Sequence, residues 1–243
     1  GRADSDSGGD RPPPRCGVRA LLLAAICAGV MTQTALRSVP NLVMNGESGM
    51  ANEFNWDNAE RGAILAAFGW GYTLTQIPGG AMSQVLGPRL TLFYCVVLGS
   101  LAGLGVPEGS RLSFIVPLAL NFIIGMAQGP VFPVLNGMLA KWLRPDEMAR
   151  GNALMGSAWN MGQVIQYLLS PLLLIFHSWP LTYYFYASLG LVWCFWWLRA
   201  AADSPEEHPR ITSAELGYIR GAGNRRGSLQ EKPQLQKDGG AGG

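Results

Sequence analysis

Six uncharged stretches alternate with short charged ones along this chain. They run from Ala20 to Leu36, Gly62 to Pro88, Leu90 to Pro107, Leu112 to Ala140, Gly151 to Phe176 and Leu181 to Leu198. A bilayer crossing needs about 20 apolar residues, with roughly 17–25 the usual range. The pattern therefore predicts an all-α membrane protein with six transmembrane helices. The first span runs past Arg37, because apolar character resumes at Val39, Leu42, Val43 and Met44. A span over 18–45 with one embedded Arg accounts for both sides of that charge. The competing reading of this stretch is a signal peptide, with Arg15 and Arg19 before the apolar run and cleavage near Ala35.

The second stretch holds the segment FGWGYTLTQIPGG, from Phe68 to Gly80. Gly and Pro at this density would break a soluble helix, since Gly costs about 1 and Pro about 3 kcal/mol against Ala. In a bilayer, neighbouring helices re-satisfy the freed backbone groups. Its small residues suit close helix contact, and its polar side chains suit the wall of a route through a membrane.

Polar segments divide the chain further. Residues 1–17 read as a disordered tail, 18–199 as a six-span bundle and 200–243 as a loop. Within the loop, Thr212 and Glu215 have the spacing of a capping box, followed by Leu216 and Ile219, which predicts a short amphipathic helix. Residues 221–243 read as a flexible linker. Turns are expected at 46–60, at Glu108–Arg111, at 141–150 and at His177-Ser178. The chain begins with Gly and ends in a Gly-rich run, so it is expected to be a fragment at both ends.

The basic residues give the orientation. With the N-terminus inside, Arg61 and Arg111 are outside, Arg37 is within the membrane, and the remaining Lys and Arg are all inside. Basic residues accumulate on the cytoplasmic side, so both termini are expected there. Trp142, Trp179, Trp193, Trp196 and Trp197 fall near the expected interfaces.

Composition narrows the function. Only 14% of residues are charged, and the net charge of +2 is too small to argue for nucleic acid. The four cysteines show no metal spacing. The spans contain no Asp, Glu, His or Lys, so neither a hydrolase triad nor a carboxylate pair can be built in them. There is no phosphate-binding glycine loop. The chain is therefore expected not to be an enzyme and to use no cofactor or metal.

What remains is polar chemistry inside spans. A charge there costs at least about 2.5–3.5 kcal/mol on insertion scales. Arg37 is either an anion site, since a guanidinium holds a carboxylate or phosphate bidentately, or a side chain snorkelling to the outer interface. Tyr72 and Gln76 share a face at i, i+4. They face a substrate or bond between helices. Asn121 and Gln128 also share a face, beside Gly125 and before Gly129-Pro130 and Pro133. The prolines predict a kink. A kinked, amide-bearing helix is a binding or gating element, or its amides bond across helices. Asn160, Gln163 and Gln166 read as helix packing.

Four stretches together resemble the anion:cation symporter family of the major facilitator superfamily. They are FNWDNAERGAILAAFGWGYTLTQIPGG, GMAQGPVFPVLNGMLAKWLRPDEMARG, YYFYASLGLVWCFWWL and SPEEHPRITSAELGYI. The resemblance covers roughly residues 18–220, in the family's order. It implies a twelve-span fold of two six-span halves, with substrate near the midplane between them. This chain is then the N-terminal half and the central loop, with a C-terminal six-span half as its partner.

The resemblance implies a secondary transporter of small organic or inorganic anions, working by alternating access and coupled to H+ or Na+. Arg37 matches a first-span Arg that binds the anion, and Tyr72 matches a tyrosine that lines the site. Gln76, Asn121 and Gln128 complete the candidate set. Asn121 stands where many members have Arg, Gln128 where many have Glu, and Leu65 where some have His. The loop GGAMSQVLGPR carries Gln84 in place of the superfamily's Asp. These departures motivate the alternative of a non-transporting receptor or scaffold. The resident membrane is expected to be an endomembrane, the plasma membrane or a plastid envelope.

Overall fold

The computed structural model describes residues 17–44, 49–176 and 178–219. The expected tail at 1–17, apart from Gly17, the linker at 221–243 and His177 of the expected turn lie outside the described residues. Helices form six long rods: α1 (Val18–Val43), α3 (Asn58–Leu86), α4 (Pro88–Leu112), the pair α5 (Ile115–Gln128) and α6 (Val131–Trp142), α7 (Met148–Phe176) and α8 (Trp179–Ala200). A short helix α2 (Met50–Glu53) follows α1. Val18–Val43, Pro88–Leu112 and Ile115–Trp142 are long and apolar enough to cross a membrane by length and mean hydropathy alone. The other three rods have the length, but Gly, Thr, Gln, Tyr and Trp lower their hydropathy.

Except for the α5–α6 pair, the rods are longer than the uncharged stretches, because helices continue into their polar flanks. The expected turn at Glu108–Arg111 is the last turn of α4 instead. Arg111 pairs with Glu108 at i, i+3, 3.1 Å apart, which supports the helix there. Residues of the segment GGAMSQVL, expected as a loop, are the end of α3. Only Gly87 breaks the chain, at φ +81°, a conformation that favours glycine, and Pro88 restarts the helix at its first position. Asp57 and Glu60 form the capping box that opens α3, with the Glu60 amide donating to Asp57 Oδ1 at 2.7 Å.

Packing places α1 against α7, α8 and α4, while α3 lies along α5 and α4 bridges α5 and α8. The α3–α5 contact is made by reciprocal glycines. A Cβ on Gly71 would strike the Phe122 carbonyl, one on Gly125 the Phe68 carbonyl, and one on Gly79 the ring of Pro130. With little hydrophobic driving force between helices in lipid, such close backbone approach supplies the dispersion contact that holds them.

The helix expected to kink is interrupted at Gly129-Pro130, where α5 gives way to α6 with both residues still in right-handed helical geometry. Pro130 has no N–H for the Met126 carbonyl four residues back. The Thr75 hydroxyl of α3 lies 2.8 Å from that carbonyl. The polar residue and the proline are thus two parts of one contact.

Two apolar cores fill the bundle. One surrounds the first half of α1, with Leu22, Ile26, Leu135, Trp142, Trp193 and Trp197. The other surrounds its second half, with Leu36, Val39, Ile64, Ile124, Tyr183 and Tyr186. Trp193 and Trp197 stack with centroids 4.9 Å apart, and both are buried. Their indole N–H groups donate to the Ala25 and Arg89 carbonyls at 2.8 and 2.9 Å. They serve the core as well as the end of the span.

The segment after α8 folds back across the end of the bundle where α1 begins. A 3-10 turn (Pro205–Glu207) and the expected helix, over 213–219, lie here. The expected capping box is only half made. The Glu215 amide reaches Thr212 Oγ1 at 3.4 Å, but the Glu215 carboxylate accepts from the Val18 and Arg19 amides of α1, at 3.3 and 3.0 Å. The orphan donors of a long helix, reinforced by its dipole, outcompete the local partner. Asp203 does the same for α4, accepting from the Arg89 amide at 2.8 Å.

Candidate functional site: a guanidinium among aromatic rings

Arg37 projects from α1, half-buried, toward α3 and α7. Its guanidinium carbon lies over the rings of Phe68 at 4.8 Å, Trp159 at 5.1 Å and Tyr72 at 5.6 Å. These distances are within cation–π range. Phe68 and Tyr72 are one helical turn apart on α3, so their rings stack in near-parallel planes, 6.0 Å apart and 25° inclined. The π faces offset part of the cost of holding a cation in the bundle, but they are neutral. Among the described residues, no carboxylate pairs with Arg37, and no hydrogen bond from its side chain is made.

A cavity of about 250 Å³ opens beside the guanidinium. It is lined by Arg37, Pro40 and Asn41 of α1, Leu65, Phe68 and Gly69 of α3, and Asn121 of α5. Its chemistry is one cation and two amides on an apolar wall. Asn121 is buried, and its amide donates back to the Pro117 carbonyl at 2.9 Å. The structure thus brings Arg37, Tyr72 and Asn121 into one neighbourhood.

Gln128 and Gln76 lie elsewhere. Gln128 is buried, and its Nε2 donates to the Gln33 side-chain Oε1 at 2.9 Å and to the Gln33 carbonyl at 3.1 Å. It fastens the end of α5 to α1, just before the break at Gly129-Pro130. Gln76 is exposed on α3 and is not among the residues lining the Arg37 cavity. The polar side of α7 is divided. Gln166 is buried and donates to Ser170 Oγ at 3.1 Å, as helix packing requires, whereas Asn160 is exposed and bonds the Gly156 carbonyl of its own helix.

Trp159 and Gln33 escape the sequence reading. Both had a signal. Gln33 precedes Arg37 by one turn and so shares its face. Trp159 sits deep in a span, away from the interfaces that tryptophan prefers.

Long apolar helices, three of them apolar enough to cross a membrane, mark an integral membrane protein with a half-buried cation beside a cavity. The chain belongs to the Major Facilitator Superfamily, whose family profile matches residues 21–235. It is 35% identical over 177 residues to the chloroplastic ascorbate transporter of Arabidopsis thaliana, covering 73% of this chain and 33% of that protein. It is 37% identical over 172 residues to probable anion transporter 4, chloroplastic, of Oryza sativa subsp. japonica, covering 71% and 29%. It is 29% identical over 203 residues to vesicular glutamate transporter 2.2 of Danio rerio, covering 84% and 34%. The chain spans about a third of the length of these relatives. Among solved structures, it resembles a bacterial homolog of the human lysosomal transporter Spinster. The TM-score is 0.67 at 17% identity, over 83% of this chain and 45% of that one. That likeness supports the fold. The relatives are named as transporters of anions, the branch that the sequence motifs resemble.

Proposed function

We propose that this chain is the N-terminal six-span half of a secondary transporter of small organic or inorganic anions, working by alternating access. The observation that carries this reading is Arg37, a cation without a carboxylate partner among the described residues, facing a cavity. A guanidinium so placed offers five N–H donors and a full charge to an anion. Tyr72 orients the anion beside Arg37, and Asn121 contributes an amide to the cavity. Gln76, on the exposed side of α3, faces the second six-span half and completes the site there. Gln128 gates the pathway, since its bond to Gln33 holds α5 against α1 beside the break at Gly129-Pro130.

In this reading both termini are cytoplasmic, as the excess of Lys and Arg on that side supports. Residues 200–243 are the loop between halves, and H+ or Na+ drives uptake. The named anions of the relatives, ascorbate and glutamate among them, support a small anionic cargo. Uptake of labelled anion by the full-length protein in liposomes tests the proposal. Arg37→Ala is expected to lower uptake by about tenfold or more, the effect of losing a charge-assisted contact worth roughly 1.5–3 kcal/mol. Unchanged uptake removes Arg37 from the site.

A further inference from the structure

α3 and α4 run in opposite directions from the turn at Gly87-Pro88 and make few contacts with each other, because each packs instead on α5. A cleft of about 440 Å³ is left between them. Pro78 and Met82 of α3 form one wall, Tyr94 and Leu98 of α4 the other, and Met126 and Pro130 the floor. None of the described residues lining it is charged. The Thr75 hydroxyl at its edge is engaged by the Met126 carbonyl, and Tyr94, 54% exposed, brings the other hydroxyl. The cleft therefore presents hydrocarbon surface to an occupant.

Helix rise fixes the depth of the cleft. Thr75 and Met82 lie 12 and 5 residues before Gly87, and Tyr94 and Leu98 lie 6 and 10 residues after Pro88. At 1.5 Å per residue both walls sit roughly 7–18 Å from the turn. Half of a bilayer's hydrocarbon core is about 15 Å, so the cleft lies among the acyl chains of the leaflet beside that turn. Its walls run along α3 and α4, as those chains do. The cleft also opens away from the Arg37 cavity. Arg37 points toward α3 and α7, whereas α4 packs on α5 and α8. The outer stripe of α4, Leu90, Tyr94, Leu98 and Leu101, is 38–54% exposed and carries no charge. Such a face suits lipid and not a water-filled path. Tyr94 and Leu98 belong to both the stripe and the cleft, so the cleft opens sideways into the leaflet.

We propose that this cleft binds one acyl chain of a membrane phospholipid, which enters from the leaflet and lies along Met126 and Pro130. A flexible chain follows a wall built from two methionines, themselves adaptable, where a rigid planar ring system does not. The volume falls within the roughly 300–1,000 Å³ of small-molecule sites. Seated there, the chain keeps water from the Thr75–Met126 bond and holds it in low dielectric, where it is stronger. The bound lipid is then part of the packing that secures α3 to the helix break. This is independent of what Arg37 binds. It needs only that the second half joins on the Arg37 side and leaves α4 to the lipid.

The full-length protein in phosphatidylcholine nanodiscs tests this, with a phosphatidylcholine carrying a diazirine on one acyl chain as the probe. Photolabelled residues are mapped by mass spectrometry as the probe fraction rises. Val192 and Phe195 of α8, 67% and 66% exposed, report ordinary lipid contact. Labelling at Tyr94 and Met126 is expected to exceed theirs and to saturate, while theirs grows in proportion to the probe. Leu98→Trp fills the cleft from the α4 wall and should cut labelling at Met126 by about fivefold or more, because an indole is a large apolar body, with α8 labelling unchanged. Met82→Trp, on the α3 wall, should do the same, so the outcome does not hang on one variant folding. Cleft labelling that never saturates, or that both variants leave intact, overturns the site. An unlabelled cleft, the result if the second half covers it, overturns it too. Stronger cleft labelling by a diazirine sterol at equal fraction overturns the acyl chain as occupant. None of these outcomes alters anion uptake through Arg37, so the two readings fail separately.

Discussion

The carboxylate of Glu215 accepts from the backbone amide of Arg19 at 3.0 Å, joining residues 196 positions apart. It covers the N-terminus of α1, the helix that carries Arg37. The same carboxylate reaches the Val18 amide, and a Cβ on Gly17 would strike it. Beside it, Arg19 pairs with Glu147 and lies over the Tyr218 ring at 5.3 Å, while the Tyr218 hydroxyl donates to Glu147 at 3.3 Å. The returning segment is therefore fastened to α1 and to the α6–α7 connection together.

Glu215→Ala should remove this cap and destabilise the bundle by about 0.5–2 kcal/mol, the range for lost helix caps. Thermal unfolding in detergent checks it. Glu215→Gln should recover part of the loss, because an amide oxygen still accepts but no longer complements the helix dipole. An unchanged midpoint in Glu215→Ala would show that the tail contributes nothing to α1.

Glycines in this chain should divide sharply by what surrounds them. Gly71→Ala and Gly125→Ala each drive a methyl into the facing backbone and should destabilise by about 1–3 kcal/mol or prevent folding, as overpacking does. Gly137 is also helical but has nothing within 4 Å of an added Cβ. Gly137→Ala should stabilise by roughly 0.5–1 kcal/mol. Folded yield and unfolding temperature of the three variants, side by side, decide the matter.

Thr75→Val tests whether the α3 hydroxyl serves the carbonyl that Pro130 leaves free. The side-chain shape is kept and the donor is lost. A loss of about 0.6 kcal/mol is average for such bonds in membrane proteins, with a maximum near 1.7. Thr75→Ser should retain most of the stability. Pro130→Ala restores the local donor, so the Thr75→Val penalty should shrink in that background. A double-mutant cycle on unfolding free energies measures the coupling.

His208 gives the folded tail a pH dependence. Burial of its ring, chiefly, holds its pKa below the ordinary 6.5; a hydrogen bond to the Ala200 backbone opposes this, and of the nearby charges Arg210 and Arg89 lower it while Glu215 raises it. Its Nδ1 accepts from the Arg210 amide at 3.2 Å, and its ring meets Trp142 edge-on with centroids 6.1 Å apart. The folded state thus prefers neutral His208. The unfolded chain binds the extra proton first as pH falls, so stability is full above about pH 6.5 and declines through the folded pKa. Unfolding temperature should drop from pH 7.5 to pH 5.5, and His208→Gln should flatten that drop. An undiminished drop in the variant would assign it to other groups.

The sequence by itself determined the six rods, the embedded charge and the helix break at Gly129-Pro130. Those follow from local chemistry: uncharged runs of spanning length, a single Arg37 among apolar residues, and prolines that lack a donor. It also marked Tyr72 and Asn121, because polar groups in spans are rare enough to stand out. Rod ends were less legible. Helices such as α4 continue through charged residues when i, i+3 pairs support them, as Glu108 and Arg111 do. Only the tertiary structure decided which polar groups meet. Glu215 has a local partner in Thr212, yet its carboxylate caps α1, because helix termini far apart in sequence compete for the same acceptor. Gln128 meets Gln33, and Trp159 meets Arg37, through the packing of α5 and α7 on α1. Pairings of that kind depend on helix rotation and crossing, which arise from side chains on both partners and so are written in no single stretch of the chain.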